Sequence, residues 1–227
     1  MNKEALEDKI IKPLLNQLST NNWRIKCEII KILKNFLLDQ TYLNAEVLKV
    51  FVDLTDDRVD AVRLSTNSLI VEILSRNPKD WCEQNVIPKV FASRDNISYI
   101  KKQNLLDIIE KTSNCVSDKA LKETYQATLA SYINDKVPNV RLKSMQVLKS
   151  NLKLTTPVID KHLEKMKEDK DTEIREFAKR LRAWLYLWYL IKYSLILQYQ
   201  VYLINHRRRC RTVQGQYQPV ALRVLSW

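Results

Sequence analysis

The sequence holds a single glycine, Gly215, so residues 1–214 lack the residue that adopts positive φ at low cost. Tight two-residue hairpins and glycine-rich phosphate loops are thereby excluded from that stretch. Histidine is scarce, with only His162 and His206, and the cysteines at 27, 82, 115 and 210 form no CxxC pair. No metal site and no cofactor are expected from such a set. His162 has no Ser, Cys or Asp placed to complete a triad and reads as a surface side chain, so the chain is expected not to be an enzyme. Met1 leads into charged residues instead of an apolar run, which gives no secretory signal, and the scattered cysteines read as small buried hydrophobes. A reducing cytoplasmic setting is expected.

Acidic residues also run out. After Glu176 there is none, while nine of the 38 lysines and arginines lie beyond it, so residues 1–176 carry 29 bases against 26 acids. The net charge of +12 therefore belongs mostly to the last fifty residues. Nucleic acid is not an expected ligand of the body, because phosphate contacts need clustered cations, but the basic end leaves it open there.

What is abundant is helix-forming. The chain is 45% hydrophobic and 28% charged, with apolar residues recurring three and four positions apart. A motif of Asp, four variable residues, Val or Ile, then Arg or Lys recurs along it: Asp57…Val62-Arg63, Asp95…Ile100-Lys101, Asp135…Val140-Arg141 and Asp169…Ile174-Arg175. A weaker copy, Thr20…Ile25-Lys26, lacks the Asp. The aliphatic recurs after 37, 38, 40 and 34 residues, a period suited to paired helices of HEAT or armadillo type. This predicts an all-α superhelical solenoid of about five pairs: 3–18 with 23–38, 43–54 with 59–75, 81–92 with 98–113, 118–133 with 138–151, and 157–168 with 172–187.

An inward stripe follows each motif, as in Ile25, Ile29, Ile32, Phe36 and in Val62, Thr66, Leu69, Ile73. The third copy slips by one, because Leu105 and Ile108 are apolar where the pattern calls for Asn104 and Asp107. An Asp in the turn is suited to accept the first amides of the following helix. The base six residues on, from Arg63, Lys101, Arg141 or Arg175, is expected to join Asp57, Asp95, Asp135 and Asp169 in a ladder along the stack.

At Asn22-Trp23-Arg24-Ile25-Lys26, Val59-Asp60-Ala61-Val62-Arg63, Ile87-Pro88-Lys89-Val90, Tyr99-Ile100-Lys101-Lys102 and Val137-Pro138-Asn139-Val140-Arg141 the chain resembles the C-terminal third of the scaffold (A) subunits of protein phosphatase 2A. The resemblance covers about residues 3–187. It implies a non-catalytic scaffold whose intra-repeat turns hold the phosphatase catalytic subunit, with Trp23, Arg24, Tyr99, Lys102 and Val137 at the contact positions. Asp60 stands where that family usually has tyrosine, and Lys102 where it usually has arginine. The chain would be a fragment or a shortened paralogue of such a scaffold. The alternatives are a HEAT adaptor for another protein, a nucleic-acid-binding solenoid, or a DNA glycosylase, whose cluster of aromatic residues for a flipped base is not visible here.

Residues 188–227 form a basic, aromatic-rich tail, read as an extra helix or as non-native sequence. The run Trp184 to Ile204 has the length of a membrane span, but Lys192, Gln198 and Gln200 interrupt it and tyrosines fill its middle, so a membrane partner is not expected. Arg207–Arg211 would suit nuclear import.

Overall fold

The computed structural model describes residues 3–92, 94 and 97–211. Among them there is no strand, and the chain is an all-α stack of helix pairs. Pair one is α1 (Lys3–Leu6, a π-helical segment Glu7–Ile11, then Lys12–Gln17) with α2 (Trp23–Leu37). Pair two is α3 (Ala45–Leu54) with α4 (Asp60–Arg76), and pair three is α5 (Lys79–Asn85, then Ile87–Val90) with α6 (Tyr99–Thr112). Pair four is α7 (Asp118–Ala120, a π-helical Leu121–Gln126, then Ala127–Tyr132) with α8 (Pro138–Ser150). Pair five is α9 (Pro157–Met166) with the start of α10 (Thr172–Arg211).

With glycine missing, short polar side chains mark the helix starts. The side chains of Asn22, Asn44, Ser98, Ser117 and Thr156 each accept an amide of the first turn they precede. Proline at the first position of α8 and α9 removes an amide that would have no partner. Pro88 follows the break at Val86 that divides α5, where the periodicity predicts one helix over 81–92.

The second helices pack in sequence, α2 on α4, α4 on α6 and α6 on α8. In α4 the stripe Val62, Thr66, Leu69, Ile73 is fully buried, and in α8 so are Val140, Ser144 and Val147. The hydroxyls of Thr66 and Ser144 are satisfied by the carbonyls of Val62 and Val140, each at 2.8 Å. The slip in repeat three places Leu105 and Ile108 in the core. Asn104, buried beside them, donates to the Thr55 carbonyl at the end of α3 across 2.7 Å. Among the described residues Tyr125 and Tyr132 are the largest fully buried side chains, and each hydroxyl has a partner: Thr112 at 2.7 Å and the Arg94 carbonyl at 2.6 Å. Cys27 and Cys82 are buried free thiols, and burial pushes the Cys82 thiol up to about 11.

In repeat one the expected stripe is corrected. Ile29 is buried, but Ile25 and Ile32 are each 45% exposed, and Cys27, Ile30, Leu33 and Leu37 form the inward face with Ile29. The reason is positional: α4 has α2 packed before it, whereas no second helix precedes α2 among the described residues.

Contacts divide the chain into two units, Met1–Leu181 and Arg182–Trp227. The first holds the five pairs. In the second, α10 continues as one helix to Arg211, and Tyr186, Leu187, Leu190, Ile191, Tyr193 and Leu197 are among its exposed residues. No described helix is long and apolar enough to cross a membrane.

Candidate partner-binding ridge

The turns inside the pairs are built alike. The carboxylate of Asp57 accepts the Val59 amide at 2.8 Å, Asp135 accepts Val137 at 2.8 Å and Asp169 accepts Asp171 at 2.9 Å. These are i to i+2 bonds that shape the turn before the helix. The motif Asp therefore acts one step earlier than the expected capping of first-turn amides. Six residues on, Arg63, Arg141 and Arg175 each donate from one Nη to the carbonyl of that Asp, at 2.8, 2.8 and 2.7 Å, and to the next carbonyl, at 3.1, 3.2 and 3.0 Å. The guanidinium fork, with several fixed donors, suits two convergent carbonyls.

Between repeats, the base of one reaches the Asp of the next. Lys26 Nζ lies 2.7 Å from Asp57, Lys102 Nζ 2.5 Å from Asp135, and Arg141 Nη2 2.8 Å from Asp169. Burial pushes the Asp57 carboxyl up, but the hydrogen bonds from Lys26 and the Val59 amide outweigh it and hold its pKa below the usual 3.8. Asp169 is likewise pushed up by burial and more strongly held down by Arg141 and the Asp171 amide. Asp95 lies outside the described residues, and Arg63 pairs with Asp60 at 2.7 Å. A second rank of pairs joins the helix bodies, with Lys34 on Glu72 and Lys143 bridging Asp107 at 2.7 Å and Glu110 at 3.0 Å.

The residues expected at the partner surface divide. Arg24 is exposed and its guanidinium lies 4.4 Å from the centre of the half-buried Trp23 ring. Tyr99 is 50% exposed, and Val137 is half-buried at the start of α8. Lys102 turns inward: it is committed to Asp135 and lies 5.4 Å from the Tyr132 ring centre. It makes the rung expected of Lys101, one position further along α6 than the motif's spacing places it. Lys101 instead contributes its amide to the Ser98 hydroxyl at 3.3 Å.

Three exposed bases escaped the sequence reading: Arg58, Lys136 and Lys170, each immediately after a motif Asp. Their signal was in the repeat itself, as the one variable position that is basic in three copies.

No family model matches the chain, and no curated protein matches it. Among solved structures, it is similar to a designed armadillo repeat protein in complex with the peptide (KR)4, at 15% identity and TM-score 0.46 over 80% of this chain and 84% of that one. It is also similar to computationally designed armadillo repeat proteins for modular peptide recognition, at 15% identity and TM-score 0.45 over 80% and 84%. Likeness at this level carries no argument about what the chain binds.

Proposed function

We propose that the chain is a non-catalytic scaffold whose turn ridge grips a folded protein, the catalytic subunit of a protein phosphatase 2A-like serine/threonine phosphatase. The observation that carries this reading is the stacked Trp23–Arg24 pair, presented at the start of α2, one turn before Lys26 forms its rung to Asp57. Trp and Arg are the side chains that most often dominate protein interfaces, and stacking preorganises the guanidinium for a carboxylate or a carbonyl. The partner's identity rests on the resemblance of the turn sequences, with Tyr99 and Val137 as further contacts along the ridge. Lys102 contributes from within, holding the fourth turn in register through Asp135.

The test is a pull-down with the full chain from its native source, with retained proteins identified by mass. A phosphatase catalytic subunit is the expected catch, and Trp23→Ala with Arg24→Ala should weaken its binding by about 2 kcal/mol or more. Equal retention by the double variant would remove the ridge from the interface, and recovery of only some other helical protein would leave a scaffold with a different client.

A further inference from the structure

Beyond Leu185, α10 carries large apolar side chains into solvent. Tyr186, Leu187, Tyr193, Leu195 and Leu197 are 55–68% exposed, and Leu190 and Ile191 about half. Successive residues of a helix point about 100° apart, so Leu195, Ile196 and Leu197 face three directions, and the exposed apolar side chains extend well beyond one narrow stripe, with Ser194, Gln198 and Gln200 between them. A helix of that kind is stable in water only when something covers it.

The charge along α10 selects the cover. No acid follows Glu176, while Lys179, Arg180 and Arg182 precede the apolar stretch and Arg207, Arg208, Arg209 and Arg211 close the helix. A second copy of α10 would bring Arg207, Arg208, Arg209 and Arg211 against their own copies if parallel, and against Arg180 and Arg182 if antiparallel, where Glu176 is already paired with Lys179 at 2.9 Å. Nucleic acid would take the arginines and leave the apolar stretch in water. An anionic lipid surface answers both features, since its headgroups attract the bases and its acyl boundary takes the side chains between them.

We propose that α10 from Trp184 to Arg211 lies on the surface of an anionic lipid bilayer and tethers the repeats to it. The seven tryptophans and tyrosines between 184 and 202 suit the headgroup level, where one end of the ring is apolar and the other wet. Lys192, Gln198 and Gln200 interrupt the run as a span, so the helix is placed along the surface and not across it. This tether is independent of the turn ridge and of what the ridge binds.

Co-sedimentation of the full chain with vesicles tests it, using phosphatidylcholine alone and phosphatidylcholine mixed with phosphatidylserine. Binding is expected to the mixed vesicles, and to weaken as salt is raised. Arg207→Gln, Arg208→Gln and Arg209→Gln together should lower it by about a hundredfold, in keeping with the attraction of each base to an anionic surface. Leu190→Ser with Leu197→Ser should lower it by about tenfold or more, since both side chains lose their burial in the lipid. Both are exposed in the free chain, so thermal unfolding by circular dichroism should stay as in the parent. Lipids carrying a nitroxide at the acyl boundary should quench the fluorescence of Trp184 and Trp188, and Trp184→Phe with Trp188→Phe should remove that quenching. Failure to bind the mixed vesicles overturns the proposal, as does equal binding to phosphatidylcholine alone. So does binding indifferent to the two leucine changes, which would reduce it to charge. A chain that dimerises through Leu190 and Leu197 in sedimentation velocity and ignores vesicles would give the surface to a second copy.

Discussion

Lys26, one turn into the second helix of repeat one, closes on Asp57 in the turn of repeat two at 2.7 Å. Lys102 with Asp135 and Arg141 with Asp169 repeat that relationship, and in each case the carboxylate also shapes its own turn. One side chain thus joins local and long-range structure, which separates two substitutions. Asp57→Asn keeps an oxygen for the Val59 amide but loses the charge, whereas Asp57→Ala loses both. Asn should cost about 1 kcal/mol and Ala about 2 kcal/mol or more in urea unfolding, because the partly buried Lys26 ammonium is left without its counter-charge. Equal stability of all three proteins would reduce the rung to a surface pair of little weight.

The pH dependence has a definite sign. Asp57 and Asp169 both titrate below the usual 3.8 when folded, so the unfolded chain binds protons first as acid is added. Their stabilisation is complete above that usual value and is lost as pH falls through the lowered ones. Urea midpoints taken from about pH 6 down to about pH 2 should decline in that window, and Asp57→Asn with Asp169→Asn should flatten the decline. An unchanged slope in the double variant would assign acid sensitivity to other carboxylates.

Repeat three provides a contrast between neighbours. Lys102→Ala should destabilise by about 1–3 kcal/mol, because the largely buried Asp135 carboxylate is left without its cation, while Lys101→Ala should fall within about 0.5 kcal/mol of the parent. Reversed effects in thermal melts would place the rung on Lys101 and refute the one-position shift along α6.

Much of the fold was legible because the repeat is written in residues that cannot easily be exchanged. The motif period located the turns, and the absence of glycine before Gly215 left helices as the economical structure. Leu105 and Ile108 announced the slip, although the motif's spacing drew attention to Lys101 when it is Lys102 that turns inward. The stripe in α2 was misread because periodicity reports what a helix is able to bury, and not whether a neighbour is there: Ile25 and Ile32 have the right spacing and no covering helix among the described residues. An extra helix in the tail was one of the two readings the sequence offered, but its continuity with the last repeat helix through Arg211 was not legible, since the repeat pattern ends near Leu187 while helix-forming residues continue. Trp23 and Arg24 were legible as a pair, but the 4.4 Å stacking between them is a matter of rotamers.

Arg141 performs two tasks that lysine elsewhere performs only in part. One Nη donates to the carbonyls of Asp135 and Lys136 in its own turn, and the other reaches Asp169 in the next repeat. Lys26 and Lys102 make the inter-repeat bond alone. A single ammonium at position 141 is able to follow Asp169 or the carbonyls but lacks the rigid fork that spans both. Arg141→Lys should therefore retain the ion pair yet destabilise by about 1–2 kcal/mol, the value of the lost carbonyl bonds. Amide exchange should rise in residues 134–138 rather than at the start of α10, because the turn of repeat four loses its brace while Asp169 keeps a cation. A uniform rise across both turns would mean that the rung to Asp169, and not the carbonyl brace, is what Arg141 contributes.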